Sequence, residues 1–264
     1  IERRLTARGL TVDAVTGQGD DTVFDLDVPA NRPDALGHLG VAREVAAAFG
    51  VRLAPWAPAP ACRGAAVTGA VSVAIEAPDL CGRYTARVVR GVTVGPSPSW
   101  VVRRLELCGF RSINNVVDAS NLVLLELGQP VHFFDLRTIH GHKIRVRRAT
   151  DGERLVTLDG IDRALDPTML VIADASQPVA LAGVIGGQAT EISTSTKDVL
   201  IEAAWFLPPS VRSTARALGL STDASSRFER GCDPEAPTAA QDLAARFLFE
   251  LAGGTPAPGM IDAR

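Results

Sequence analysis

Cysteine is scarce in this 264-residue chain, and the four present, Cys62, Cys81, Cys108 and Cys232, are scattered with no Cys-x-x-Cys pair. That spacing argues against a disulfide framework or a structural zinc site, and a reducing cytoplasm is the default compartment. Long apolar runs are missing too. The best, Leu122 to Leu125, meets Glu126 at once, far short of the roughly 18 residues of a membrane span. No hydrophobic signal core follows Ile1, Glu2, Arg3 and Arg4, so nothing marks the chain for export. There is no initiator Met, and a Pro/Gly-rich stretch precedes Arg264; a fragment ending near a domain boundary is expected. Signatures of common chemistries are absent as well: no phosphate loop, no Gly-x-Gly-x-x-Gly, no Gly-x-Ser-x-Gly elbow. The glycine run Leu181-Ala182-Gly183-Val184-Ile185-Gly186-Gly187 fits none of these spacings. His140 and His142 stand too close for a nucleotide-binding His-x-Gly-His and lack a third metal ligand, so a solvated loop is expected.

What is present is ordinary soluble composition, 46% hydrophobic and 22% charged with a net charge of −3, which excludes disordered, collagenous and fibrous classes. The length suits one large domain, or a small one followed by a larger. The charge is uneven along the chain. Residues 80–148 carry eleven basic against four acidic side chains, and residues 149–206 carry three against nine. Two readings stand side by side: a face that attracts phosphates, or oppositely charged segments that pack together and cancel.

Periodicity and punctuation divide the chain. A first block to residue 54 holds a short helix over Arg3–Leu10 ending at Gly9, a strand at Val23–Val28, and a helix from Gly37 to Phe49 closed by Gly50. Asn31-Arg32-Pro33-Asp34 between them serves packing and turn geometry. A Pro/Ala-rich linker is expected at 55–66, a main domain at 67–254 and a tail at 255–264. Strands are expected at Val71–Ile75, Tyr84–Val89, Lys143–Arg147, Leu170–Ala173 and Val199–Ala203. Helices are expected from Ser97-Pro98, with Ser97 as cap, to Gly109, then at Asn115–Leu127, from Pro208-Pro209 to Gly219, and at Ala236–Leu251. There is no regular β–α alternation. The expected fold is α+β, a small N-terminal α+β module followed by a larger layered domain with mixed β-sheets and flanking helices.

Four segments depart from generic composition: Ile113-Asn114-Asn115-Val116-Val117-Asp118-Ala119-Ser120-Asn121 continuing to Gly128-Gln129-Pro130-Val131-His132-Phe133-Phe134-Asp135; the glycine run at 181–187; Val199-Leu200-Ile201-Glu202-Ala203-Ala204-Trp205-Phe206; and Gly219-Leu220-Ser221-Thr222-Asp223-Ala224-Ser225-Ser226-Arg227-Phe228-Glu229-Arg230-Gly231. Together with Asn31-Arg32-Pro33-Asp34 and Gly40-Val41-Ala42-Arg43-Glu44, in this order, they resemble the beta subunit of bacterial phenylalanyl-tRNA synthetase. The resemblance covers its N-terminal module and its editing module. It implies proofreading, the hydrolysis of tyrosine wrongly attached to phenylalanine tRNA, in the cytoplasm. It implies as partners the acceptor end of that tRNA and the synthetase alpha subunit, with no membrane. No metal or cofactor is implied for editing; ATP and magnesium belong to aminoacylation in the full synthetase.

A carboxylate between Ile201 and Ala203 is, on residue type alone, solvated or paired with an arginine. The resemblance instead places Glu202 against the tyrosine phenol, with the Gly183 N–H as second contact. It makes His132 and Asn121 candidates for holding the attacking water or the terminal adenosine, and puts Thr222 and Ala224 in the pocket wall. Asp223 and Ser226 differ from the family pattern, which has Glu and His there. Arg227 and Arg230 are open between phosphate contact and an ion pair with Glu229. The oligonucleotide-binding barrel usual in bacterial members has no room between Val12-Asp13-Ala14-Val15 and Val23-Phe24-Asp25-Leu26, and the resemblance reaches Arg264 before the later family modules. A non-catalytic RNA- or protein-binding module, or a scaffold of the same subunit, is the alternative.

Overall fold

The expected N-terminal helix stops early. The computed structural model, which describes residues 1–54 and 60–264, has α1 at Glu2–Thr6. The backbone then turns so that the Leu10 N–H bonds the Leu5 carbonyl, and both leucines are buried under Ala35. Strands β1 (Thr11–Gln18) and β2 (Asp21–Asp27) form an antiparallel hairpin in which Gln18 faces Asp21. The chain thus passes between them over Gly19 and Asp20 alone. Helix α2 (His38–Phe49) closes this part. Arg32 bonds both Asp34 and Glu44 at 2.8 Å, tying the turn to α2. The expected linker falls partly outside the described residues, at 55–59.

Beyond it come β3 (Ser72–Ile75), β4 (Cys81–Arg90), α3 (Ser99–Leu107), α4 (Asn115–Leu127), β5 (Val131–Asp135) and β6 (Lys143–Arg148). Ser97 does not cap α3. Its hydroxyl donates instead to buried Asp118, 2.6 Å away, which also takes the Ser112 hydroxyl and the Ile113 N–H. A fully buried carboxylate needs several donors, and it claims the serine. The cap of α4 is Asn114, whose side chain accepts from the Val116 and Val117 N–H groups. The short hairpin strands β7 (Arg154–Val156) and β8 (Asp162–Ala164) follow, then β9 (Leu170–Ala173), β10 (Pro178–Leu181), β11 (Ile185–Gly186) and β12 (Val199–Phe206). The chain continues through α5 (Pro208–Ala217), α6 (Asp223–Phe228), α7 (Ala236–Ala252), β13 (Thr255–Pro256) and β14 (Ile261–Ala263). Residues 255–264, expected as a tail, run along β4 through both of these last strands.

Among the described residues the strands build two larger sheets, β11-β10-β9-β6-β3 and β13-β4-β12-β5 with β14 also on β4. Parity along β12 explains the layering. Val199, Ile201 and Ala203 pack with α4 and α7, whereas Leu200, Ala204 and Phe206 face the other sheet. The outcome is α+β, helices on one face of the second sheet and the first sheet against its other face. No helix of the described residues is long and apolar enough to cross a membrane.

Most of the cations at 80–148 are paired. Arg83 is buried between Asp262 and Glu235, Arg87 meets Asp242, and Arg145, Arg147 and Arg148 meet Glu76, Glu153 and Asp79. The pairing is internal, but most partners lie outside the acidic segment 149–206, which supplies Glu153 to Arg147 and Asp198 to Arg90.

Candidate functional site

The parity of β12 puts one residue out of keeping with its row. Glu202 lies between Leu200 and Ala204 on the face that looks into the layer between the sheets, and only 7% of it is exposed. Antiparallel pairing sets it opposite His132 of β5 on one side and Ala86 of β4 on the other. Directly opposite residues share a face, so the carboxylate and the imidazole emerge side by side. Their neighbours in the same rows, Phe134 and Tyr84, are fully buried.

These two side chains border a cavity of about 250 Å³, the size of a single side chain rather than a whole nucleotide. Asn121 reaches it from α4, Gly183 from the turn between β10 and β11, and Thr222 and Ala224 from the start of α6. All six residues singled out in the sequence therefore meet at one cavity. Leu124, Val131, Leu181, Val184 and Phe228 supply apolar wall, and Leu158, after β7, stands at its rim.

Each position has a local cause. Gly183 has φ +70°, and a Cβ there would press on Val211, Phe206 and Phe228 at 3.0–3.1 Å, so a side chain is excluded on both counts. Its N–H makes no backbone hydrogen bond among the described residues. Gly186 gives way to His132: a Cβ on it would overlap the imidazole Cε1. Thr222 caps α6, accepting from the Ser225 N–H at 3.0 Å, and donates to the Val184 carbonyl at 2.8 Å. Its hydroxyl is thus spent on joining α6 to the glycine run. Gln129, between α4 and β5, is buried and donates to the Ala204 carbonyl at 3.0 Å, fixing the turn that presents His132.

Electrostatics separate the two ionisable groups. Burial pushes the Glu202 carboxyl from its ordinary 4.5 up to about 7, while a hydrogen bond from the Tyr84 hydroxyl, 2.9 Å from Oε2, pulls the other way. Burial drives His132 down from 6.5 to about 4. Its Nε2 is sealed from solvent without a hydrogen-bond partner among the described residues, and its ring stands edge-on to Phe134 at 4.5 Å. At neutral pH the imidazole is uncharged, so it can orient a polar group through a hydrogen bond but is a weak base.

The raised carboxyl has a consequence for stability. The folded chain keeps the Glu202 proton to higher pH than the unfolded chain does. Its stabilising contribution is therefore complete below about pH 4.5 and lost as pH rises through about 7. Glu202→Gln carries no such charge and keeps an acceptor for Tyr84. It is expected to exceed the native chain in stability by about 3 kcal/mol at pH 8, the gap closing below pH 4.5. His132 titrates with the opposite sign but is common to both proteins and cancels. Urea denaturation from pH 4 to 8 measures the gap; one that stays constant with pH contradicts the assigned environment.

Elsewhere, a hollow of about 580 Å³ lies between α2 and the segment joining α6 to α7. Its charges are largely engaged within the chain: Asp34 with Arg32, Arg227 with Asp223, Glu235 with Arg83. Arg227 thus pairs with Asp223 rather than Glu229, and Arg230 donates to the Val28 carbonyl. His140 and His142 lie on an exposed turn, and among the described residues no three potential ligands gather around a metal position.

The fold is thus two packed sheets with helices on one face and a small cavity where the sheets meet. Residues 80–253 fit the B3/4 domain model, and the chain belongs to that family. Its curated relatives are phenylalanine–tRNA ligase beta subunits. It is 54% identical over 245 residues to that of Anaeromyxobacter dehalogenans, covering 93% of this chain and 31% of the relative. To that of Moorella thermoacetica it is 54% identical over 242 residues, 92% of this chain and 30% of the relative. The chain thus spans about a third of these proteins. A crystal structure of an N-terminal fragment of the phenylalanyl-tRNA synthetase beta subunit from Pyrococcus horikoshii matches with a TM-score of 0.49 and 16% identity, covering 100% of this chain and 73% of that one.

Proposed function

We propose that the cavity is a proofreading site that hydrolyses tyrosine wrongly esterified to phenylalanine tRNA. The observation that carries this reading is Glu202: a buried acid whose one hydrogen-bonding partner among the described residues is a phenol, facing a cavity of side-chain size. In this reading the tyrosine ring lies against Phe228 and Val184, its hydroxyl donates to Glu202, and the Gly183 N–H donates to the phenol oxygen. A phenylalanine ring would leave both protein groups desolvated and unpaired, at about 1–3 kcal/mol each. Cleavage is a water attack on the ester carbonyl, releasing tyrosine and the ribose hydroxyl of the tRNA. Neutral His132 and the Asn121 amide position that water or the terminal adenosine, so rate comes from orientation and not from a strong base. ATP and magnesium enter no step; in the longer protein they would serve aminoacylation.

The acceptor end of the tRNA and an alpha subunit are the partners of this reading, and the cytoplasm its place. The alternative, a non-catalytic RNA- or protein-binding module, draws on His132 being too acidic for a base at neutral pH. Incubating the chain with tyrosyl- and phenylalanyl-tRNA and following each ester decides between them. Selective loss of tyrosine is expected; equal loss, or none, contradicts proofreading by this chain.

A further inference from the structure

We propose that Tyr84 is a positioning residue of this pocket: its phenol occupies one oxygen of Glu202 and aims the other at the cavity, so that one carboxyl group serves a resident phenol and an incoming one. The inference rests on the hydroxyl-reading role of Glu202. Strand register supplies the geometry. Tyr84 pairs with Ala204 and Ala86 with Glu202, so Tyr84 sits diagonally from Glu202 on the same face, a separation that long side chains bridge. The ring is wholly buried among apolar residues, held on a strand paired on both sides by β12 and β14. Its aromatic neighbours in that layer, Phe134, Phe206 and Phe228, carry no hydroxyl. Packing alone would be satisfied by phenylalanine at position 84, and a hydroxyl placed there is costly without a partner. Its partner is Glu202 Oε2, at 2.9 Å, and among the described residues no hydrogen bond is made by the other carboxyl oxygen.

The hydrogen bond does two things. It holds a flexible side chain in one rotamer before any ligand arrives, so the ordering cost is not charged to binding. It also favours the ionised carboxyl against the desolvation that would protonate it. An ionised carboxylate is acceptor-only, whereas a protonated one also presents a donor, and only the first distinguishes a phenol cleanly.

Tyr84→Phe keeps the ring and tests the role, with Glu202→Gln run beside it, in deacylation of tyrosyl- and phenylalanyl-tRNA from pH 6 to 9. For Tyr84→Phe the preference for tyrosine is expected to fall about tenfold, through the KM of the tyrosyl substrate, with phenylalanyl hydrolysis unchanged. The pH midpoint of the preference should move upward. A merely structural Tyr84 would slow both substrates alike and leave the midpoint in place, which overturns the proposal. If Glu202→Gln abolishes the preference and Tyr84→Phe does not, the Tyr84 role alone fails. If neither changes it, the hydroxyl reading fails as well. A second measurement needs no variant. Tyr84 is the one tyrosine in the chain, so biosynthetic 3-fluorotyrosine labels this position alone. Its fluorine resonance should shift on adding free L-tyrosine and not L-phenylalanine; equal responses, or none, contradict it.

Discussion

Glu202→Ala is expected to cut the preference for tyrosyl over phenylalanyl ester by about ten- to a hundredfold, with hydrolysis of the phenylalanyl ester rising as that of the tyrosyl ester falls. The size follows from the chemistry of rejection. A site built around a hydroxyl refuses the molecule that lacks one because its own buried groups go unpaired, at about 1–3 kcal/mol per group. Removing the carboxylate removes that penalty, and the apolar wall then accepts either ring. The substitution also strands the Tyr84 hydroxyl, which loses its partner, so some stability is lost together with selectivity. Glu202→Gln separates the two, since an amide still accepts from Tyr84. Ratios of single-turnover rates are the readout, and a ratio equal to that of the native chain refutes the role of Glu202.

The second large effect is steric. Ala224 lines the cavity at the first turn of α6, facing the space beside Glu202. An indole there fills much of about 250 Å³, and a packed wall cannot yield without overpacking strain of about 1–3 kcal/mol. Ala224→Trp is therefore expected to reduce tyrosyl-tRNA hydrolysis at least about a hundredfold while the chain stays folded, since the added bulk enters a void and not the core. Rates together with a melting curve measure both halves. Undiminished hydrolysis in a folded variant shows that substrate does not enter this cavity.

The sequence was most legible where a single physical signal ruled. Helix α4 begins and ends at the residues expected, Asn115 and Leu127, because an asparagine cap and Gly128 bracket a continuous apolar stripe. The start of β12 was marked by its apolar run and Pro208-Pro209 marked the next helix. Short elements were not legible. The strands β7, β8, β10 and β11 have two to four residues each, too few to establish a period of two, and pairing with neighbours fixes them. Segment 131–135 read as a motif following a turn; only its ladder with β12 makes it a strand.

The same division applies at the cavity. Glu202 stood out as an acid in an apolar run, yet which face it took depended on parity against neighbours in space. Gly186 and Tyr84 passed unremarked. A glycine in a glycine run and a tyrosine in a strand look like turn and core, and nothing local shows that one makes room for His132 and the other binds Glu202. The usable signal was Tyr84's parity: register puts it on the same face as Glu202 and His132, within reach of the carboxylate.

The most direct test watches the Glu202 carboxyl itself. With glutamate labelled at the side-chain carboxyl carbon, and the Glu202 resonance identified by its loss in Glu202→Gln, its titration should centre near pH 7 in the free chain. Saturating L-tyrosine should shift that resonance and lower its midpoint, because a phenol donor favours the ionised form, while L-phenylalanine should leave the resonance in place or raise its midpoint. A midpoint near 4.5, or the same response to both amino acids, would contradict the claim that a buried carboxylate reads the hydroxyl.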